Sequence, residues 1–294
     1  MPLWKPNDIN DLMEVKFWLK PEDFSSSALK DCGSFGDNAT LVASADAGTI
    51  NKKNGVPIMT YSGADTSGTM YETSNTTSGP LDTGTGEFYI GIFCKVKVPA
   101  LTSGSARVLF AHDTAGNDLE IRMNTSEKIV VNAASDLSAS DSTIGDSSSL
   151  TEDHYHWLGC RREITDSHNK LYYHRDGAFE IANADFNTSD NMSDARVNIG
   201  GRSSKGTVFW KSDLGEMIAY HDNPSDSDLD KIQAYINHKY GNTSQISAGS
   251  YASGPPTSCH CVSAQTLSTE DLSSNVQFPF EVRQNLNTHD STRQ

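Results

Sequence analysis

The first residues whose types and spacing could do chemistry are histidines. His154 and His156 sit two apart in a strand-like run, so both rings would fall on one face, and His174 in a following run could lie opposite. Brought together they could ligate zinc, which takes three or four ligands in tetrahedral geometry. The plain alternative is a hydrogen-bonded surface pair at a strand edge. Cys259-His260-Cys261 offers similar ligands but has no second pair nearby. Acid chemistry has one isolated candidate, Glu216, the single carboxylate inside the apolar run Leu214 to Tyr220. It either faces a cleft or pairs with a cation, for which Arg161, Arg196 and Lys211 are the candidates. Asp118 and Glu120 share a strand face, yet the next residue on that face is Arg122, while Glu163 and Asp166 fall in a turn; both pairs read as solvated charges. Asp113, Asn117 and Asp118 offer oxygen ligands around one loop, as turns commonly do without a metal. No serine elbow, phosphate-binding glycine loop or EF-hand loop occurs.

These groups are carried by 294 residues, 36% of them hydrophobic, enough for one large all-β domain or two small ones. The formal net charge is -15. A chain this acidic has no general means of neutralising phosphates, which argues against nucleic acid and against attraction to anionic membranes. No apolar run reaches the length of about 18 residues that a membrane-spanning helix needs. The start, MPLWKPNDIN, lacks the positive-then-apolar order of a secretory signal, so the chain is expected to be made and kept in cytoplasm. The five cysteines are irregularly spaced and read as thiols, with Cys94 and Cys160 buried in strands.

Short strands separated by Gly, Ser, Thr, Asn and Asp dominate the pattern. Glu87 to Val98 is the clearest: Phe88, Ile90, Ile92, Cys94, Val96 and Val98 point to a core and Tyr89, Gly91, Phe93, Lys95 and Lys97 the other way. Further strands are expected over 15–19, 56–61, 107–112, 118–124, 128–132, 155–162, 170–174, 178–181, 196–200, 207–210 and 214–220. Asn54-Gly55 and Asp176-Gly177 are hairpin turns. Pro57 confines its strand to an edge or places the proline among the first residues.

One helix closes the pattern. Asn223-Pro224 breaks the last strand, and Ser225 can accept the amide hydrogen of Asp228 as an N-cap. Leu229, Ile232, Ile236 and Tyr240 share a buried face, Lys239 suits the negative end, and Gly241 supplies a left-handed stop. Residues 242–294 are polar, with few apolar anchors and no sustained period, and form an extended low-complexity arm.

The order HWLGCRRE, KLYYHRDG, VNIGGR, FWKSDLGEMIAY, then Asn-Pro-Ser-Asp and a helix ending in Lys-Tyr-Gly resembles laminin-G-like domains of the concanavalin A-like lectin/glucanase superfamily. It is most similar to the versions in bacteriophage virion proteins. Trp18-Leu19-Lys20-Pro21 departs from their usual Trp-Leu-Asp-Ala opening, and the Asp and Ala are missing. The resemblance implies an all-β, two-sheet antiparallel jelly roll over 1–241 with the C-terminal helix, followed by 242–294 as an anchoring arm.

It further implies a non-enzymatic virion protein displayed on a capsid or tail, assembled in the bacterial host cytoplasm with other virion proteins and as a homo-oligomer. Weak contact with a host surface glycan is part of that expectation. A glycan-binding adhesin and a polysaccharide-degrading enzyme are the alternatives. Superfamily glucanases need two carboxylates about 5–5.5 Å apart if retaining, in a Glu-x-Asp-x-Glu run that this chain lacks, so no catalytic residue and no cofactor are expected. Laminin-G-like domains often hold calcium at a sandwich rim, which here would fall to Asp113, Asn117 and Asp118. By type, Tyr155 and Trp210 are the candidate glycan contacts, against core packing for each.

Overall fold

Alternation along Phe88–Val96 decides the architecture, because a strand with apolar residues on both faces must be covered twice. The computed structural model describes Pro6 and residues 15–42, 45–61, 68–74, 79–96, 107–113, 118–134, 143–146, 154–166, 168–185, 196–202 and 209–241. The expected arm, 242–294, and with it Cys259-His260-Cys261, lies outside the described residues.

The strands in chain order are β1 Val15–Leu19, β2 Ala28–Leu29, β3 Ala39–Leu41, β4 Thr49–Lys53, β5 Val56–Thr60, β6 Tyr71–Glu72, β7 Phe88–Val96 and β8 Arg107–Asp113. They continue with β9 Asp118–Met123, β10 Ile129–Ala134, β11 Thr143–Gly145, β12 His154–Thr165, β13 His168–Arg175, β14 Ala178–Asp185, β15 Arg196–Ile199 and β16 Asp213–Tyr220, followed by helix α1 Asp226–Tyr240. The first sheet runs β14-β13-β12-β7-β16-β5-β4, with β1 also paired to β16, and the second runs β11-β10-β9-β8-β15-β6-β3-β2. Every pairing between these strands is antiparallel. The chain passes repeatedly from one sheet to the other, from β5 to β6 to β7 to β8 and again at β12, β15 and β16. This is the expected two-sheet jelly-roll sandwich with one C-terminal helix.

Phe88, Ile90, Ile92, Cys94 and Val96 of β7 meet Leu109, Phe110, Ile121 and Val131 of the second sheet in the central core, on the face their alternation predicts. Tyr89 and Phe93, on the opposite face, are buried just as fully. They pack with Trp18, Trp157, Ile218 and Tyr220 beneath Leu229, Ile232, Ile236 and Tyr240 of α1. The first sheet is therefore a middle layer, with the second sheet on one side and the helix on the other. Each such side chain contributes roughly 1.5–3 kcal/mol on burial, so a one-residue slip of β7 would be opposed from both sides.

The helix ends as its sequence requires. Ser225 Oγ accepts from the Asp228 amide at 3.2 Å, and Gly241 closes the helix at φ 62°. Asn54 and Gly55 take φ 49° and 84° in the β4–β5 turn, and Asp176 and Gly177 take 52° and 83° in the β13–β14 turn. Pro57 is the second residue of β5, and β16 pairs only with Met59 and Thr60 beyond it, so no ladder bond from the proline is needed. Strands β2, β3, β4, β6 and β11 lie in stretches that read as loop. Their sequences carry little alternation; β4 is Thr-Ile-Asn-Lys-Lys at a sheet edge, with Thr49 to Lys52 exposed. Of the expected 207–210 strand, residues 209 and 210 are described, and there Phe209 forms an isolated bridge to Val108. No helix among the described residues is long and apolar enough to cross a membrane.

Candidate functional site

Glu216 is held, not presented. It lies on β16 beneath α1 with its side chain fully buried, and Lys239 Nζ, from the last turn of the helix, donates to Oε2 at 2.5 Å. Tyr235 OH donates to Oε1 at 2.9 Å and Trp18 Nε1 to the same atom at 2.5 Å. Burial pushes the Glu216 carboxyl upward, opposed by Lys239 and by the Trp18 and Tyr235 hydrogen bonds. Lys239 also reaches Glu22 at 2.9 Å. The partner is thus the helix lysine rather than Arg161, Arg196 or Lys211. The two arginines go elsewhere: Arg161 bonds Asp226 in the first helical turn at 3.0 Å and Arg196 bonds Glu72 at 3.2 Å. Lys239, which suits the helix terminus by charge, turns inward because a buried carboxylate needs a cation.

The histidines do not converge. In the β12–β13 register His174 opposes Gly159, which puts it on the face of Tyr155 and Trp157, whereas His154 and His156 project from the other face of β12. His156 Nδ1 is 2.5 Å from Asp176 Oδ2. Asp176 Oδ1 accepts from the Trp157 amide at 3.0 Å, so the hairpin turn is tied back to β12. The His174 ring stacks on Tyr89 at 5.6 Å and 7°, over the bare backbone of Gly159. Burial, then the charge of Arg161, hold its pKa down at about 3. Among the described residues no three His, Cys, Asp or Glu side chains gather to hold a metal.

For the calcium expectation, Asp113 ends β8 and Asp118 opens β9, and the two strands are paired neighbours. Asn117 and the side chains of both aspartates lie outside the described residues. Cys94 and Cys160 are buried free thiols, with burial raising both pKa values. Trp210 is 1% exposed and belongs to the core between the sheets, so it is not a surface contact.

Tyr155 is placed differently. It is the second residue of β12, on the helix face and half-buried, and its ring stacks on Phe93 at 5.3 Å and 16°. Phe93 in turn stacks on Tyr240 of α1 at 4.2 Å. Tyr155 is thus the outermost of three stacked rings. Its hydroxyl donates to Asp213 Oδ2 at 2.6 Å, and Thr60 Oγ1 donates to Asp213 Oδ1 at 2.6 Å. Asn51 Nδ2 donates to Thr60 Oγ1 at 2.7 Å. Register explains the row: Tyr155 opposes Lys95, Leu214 opposes Cys94, and Asp213 opposes Thr60, so one line of polar groups crosses β12, β7, β16 and β5.

Two ammonium groups complete the rim. Lys53 Nζ is 4.3 Å and Lys95 Nζ 5.9 Å from the Tyr155 ring centroid. Lys53 has its pKa lowered, first by burial and then by the charge of Lys95. With Phe93 stacked beneath the ring and Lys53 over it, Tyr155 is a scaffold for charge more than a bare stacking platform. Its candidacy rested on residue type; Lys53, Lys95 and Asp213 were missed. The alternation of β7 did put Lys95 on the face opposite the core, but which strand lay beside it was not written in the sequence.

Fold and rim together define a jelly-roll sandwich with a polar, lysine-bearing edge beside the end of its helix. Solved structures to which the chain is similar include toxin binding domains. The chain is similar to the receptor binding domain of botulinum neurotoxin D, with a TM-score of 0.57 and 9% identity over 79% of this chain and 54% of that one. It is similar to the binding domain of Paraclostridial Mosquitocidal Protein 1, with a TM-score of 0.56 and 10% identity over 76% of this chain and 52% of that one. It also resembles the binding domain of Botulinum Neurotoxin DC in complex with SialylT, with a TM-score of 0.55 and 9% identity over 79% of this chain and 52% of that one. The chain spans about half the length of these solved chains. At such identities the likeness shows the fold alone. No protein-family model matches the chain, and no curated protein does.

Proposed function

We propose that the chain is a glycan-binding module whose recognition surface is the rim around Tyr155. The observation that carries this reading is the scaffold itself, shared over more than three-quarters of the chain with binding domains, one of them in complex with SialylT. The rim suits the role: hydroxyl, amide, carboxylate and ammonium groups from Asn51, Thr60, Asp213, Tyr155, Lys53 and Lys95 stand side by side, as sugar hydroxyls require. Glu216 gives no support to polysaccharide hydrolysis, because its oxygens are enclosed by Lys239, Tyr235 and Trp18. A glycan array probed with the full chain tests the reading. Selective binding at about micromolar affinity supports it, and no glycan above background overturns it.

Display on a virion, as a capsid or tail subunit assembled with other virion proteins, rests on the sequence resemblance to phage laminin-G-like domains. In that setting the sandwich would face outward to the host and residues 242–294 would anchor it. Mass spectrometry of purified particles tests the location. Deleting residues 246–294 should abolish loading while leaving the sandwich folded; normal loading of the truncated chain would sink the anchor. Calcium at Asp113, Asn117 and Asp118 comes from the same resemblance and takes no part in this reading.

A further inference from the structure

His154 and His156 project from the face of β12 opposite Tyr155, so what they do is separate from the rim. We propose that their two imidazoles chelate a divalent transition-metal ion, of which zinc is the type, at the end of the sandwich where β12 begins.

His156 is prepared as a ligand. Its Nδ1 lies 2.5 Å from Asp176 Oδ2, and Asp176 is itself fixed, because its other oxygen accepts from the Trp157 amide. A carboxylate at Nδ1 holds the ring hydrogen there and leaves the Nε2 lone pair to accept. Carboxylate to imidazole to metal is the arrangement that orients a ligating histidine and raises its basicity. Nε2 sits on the far side of the ring from Asp176, is buried, and has no hydrogen-bond partner among the described residues. A buried acceptor left bare is costly, and a metal ion would satisfy it.

His154 supplies the second nitrogen and the way in. It is the first residue of β12 and exposed, whereas His156 is 6% exposed. The two ring centroids are 6.5 Å apart. A tetrahedral metal about 2.0–2.1 Å from one nitrogen of each ring sets the centroids about 5 Å apart. Rotation of the exposed His154 side chain covers that difference. The nitrogen pair also selects the ion. Imidazole suits zinc, copper and nickel, while calcium and magnesium call for oxygen ligands. Among the described residues no third His, Cys, Asp or Glu gathers with the pair, so the remaining positions fall to water or to a donor group of a bound molecule.

The test is titration calorimetry on the full chain with zinc chloride, and with calcium chloride as the oxygen-seeking control. Zinc should bind and calcium should not compete for the same site. His154→Ala changes an exposed side chain and should weaken zinc binding at least about tenfold, as should Asp176→Asn, the loss that follows when the partner of a ligating histidine is removed. Cys259→Ser with Cys261→Ser should leave this binding unchanged, which separates it from the thiols beyond residue 242. Nitrogen magnetic resonance supplies a readout that a merely structural histidine pair would not move: zinc should shift the His156 Nε2 signal while Nδ1 keeps its hydrogen. Zinc binding of equal strength in His154→Ala and the wild-type chain overturns the site. So does binding that disappears with the two cysteines, calcium that displaces zinc, or a wild-type chain that takes up no zinc.

Discussion

Lys239 in the last turn of α1 donates to the buried carboxylate of Glu216 on β16 at 2.5 Å, and this pair fastens the helix to the sheet. Removing one partner of a buried pair leaves a charge without compensation, which costs about 3–5 kcal/mol. Lys239→Met is therefore expected to destabilise the sandwich by that amount in urea unfolding. Adding Glu216→Leu should restore part of the loss, since a buried pair replaced by apolar groups is often neutral. Strictly additive effects in the double-mutant cycle would contradict the coupling.

His174 makes stability depend on pH in a direction that can be stated. In the folded chain its pKa is lowered to about 3 by burial and by Arg161, whereas the unfolded imidazole takes up a proton near 6.5. The unfolded state thus binds more protons between those values. The contribution of His174 is fully present above the unfolded pKa and is lost as pH falls toward the folded one, by about 1.4 kcal/mol per pH unit. His174→Phe keeps a ring against Tyr89 and should flatten the acid limb of melting temperature against pH. An acid limb identical to that of the wild-type chain would refute this assignment.

Gly91 and Gly159 face each other across β7 and β12, and their missing side chains make room for two rings. A Cβ at Gly159 would enter the His174 ring, and one at Gly91 would meet Trp157. Gly159→Ala should cost about 1–3 kcal/mol by overpacking, read as a fall of roughly 2–4 °C in Tm for each kcal/mol in a domain of this size. Combining it with His174→Ala should recover part of the loss.

Asn54 ties the β4–β5 turn to the helix. It takes φ 49° and donates from Nδ2 to the Tyr240 carbonyl at 2.7 Å. Asn54→Ala loses the hydrogen bond and strains the turn, so a cost of about 1–2 kcal/mol is expected. Asn54→Gly relieves the strain and loses only the bond, and chemical denaturation of the two variants separates the contributions.

The sandwich was legible because its rules are local. Alternation in Phe88–Val96, the Asn54-Gly55 and Asp176-Gly177 turns, and the Ser225 cap with the Leu229, Ile232, Ile236 and Tyr240 face all specify structure within a few residues. The site was not, because it is made by register. Tyr155 meets Lys95 and Asp213 only after β12, β7 and β16 align, and Lys53 arrives from an edge strand whose sequence shows no apolar period. The same reason explains the partner found for Glu216. Arg161, Arg196 and Lys211 were plausible by charge alone, but the helix lies over β16 and delivers Lys239. His174 likewise needed the Gly159 register to show which face it occupies.

Hydrogen exchange of the full chain, with and without saturating sialyllactose or whichever saccharide the array selects, tests the central claim most directly. The account predicts protection confined to peptides covering Asn51 to Thr60, Phe93 to Lys95, Tyr155 and Asp213. Protection elsewhere on the sandwich, with these peptides unchanged at saturation, would contradict it.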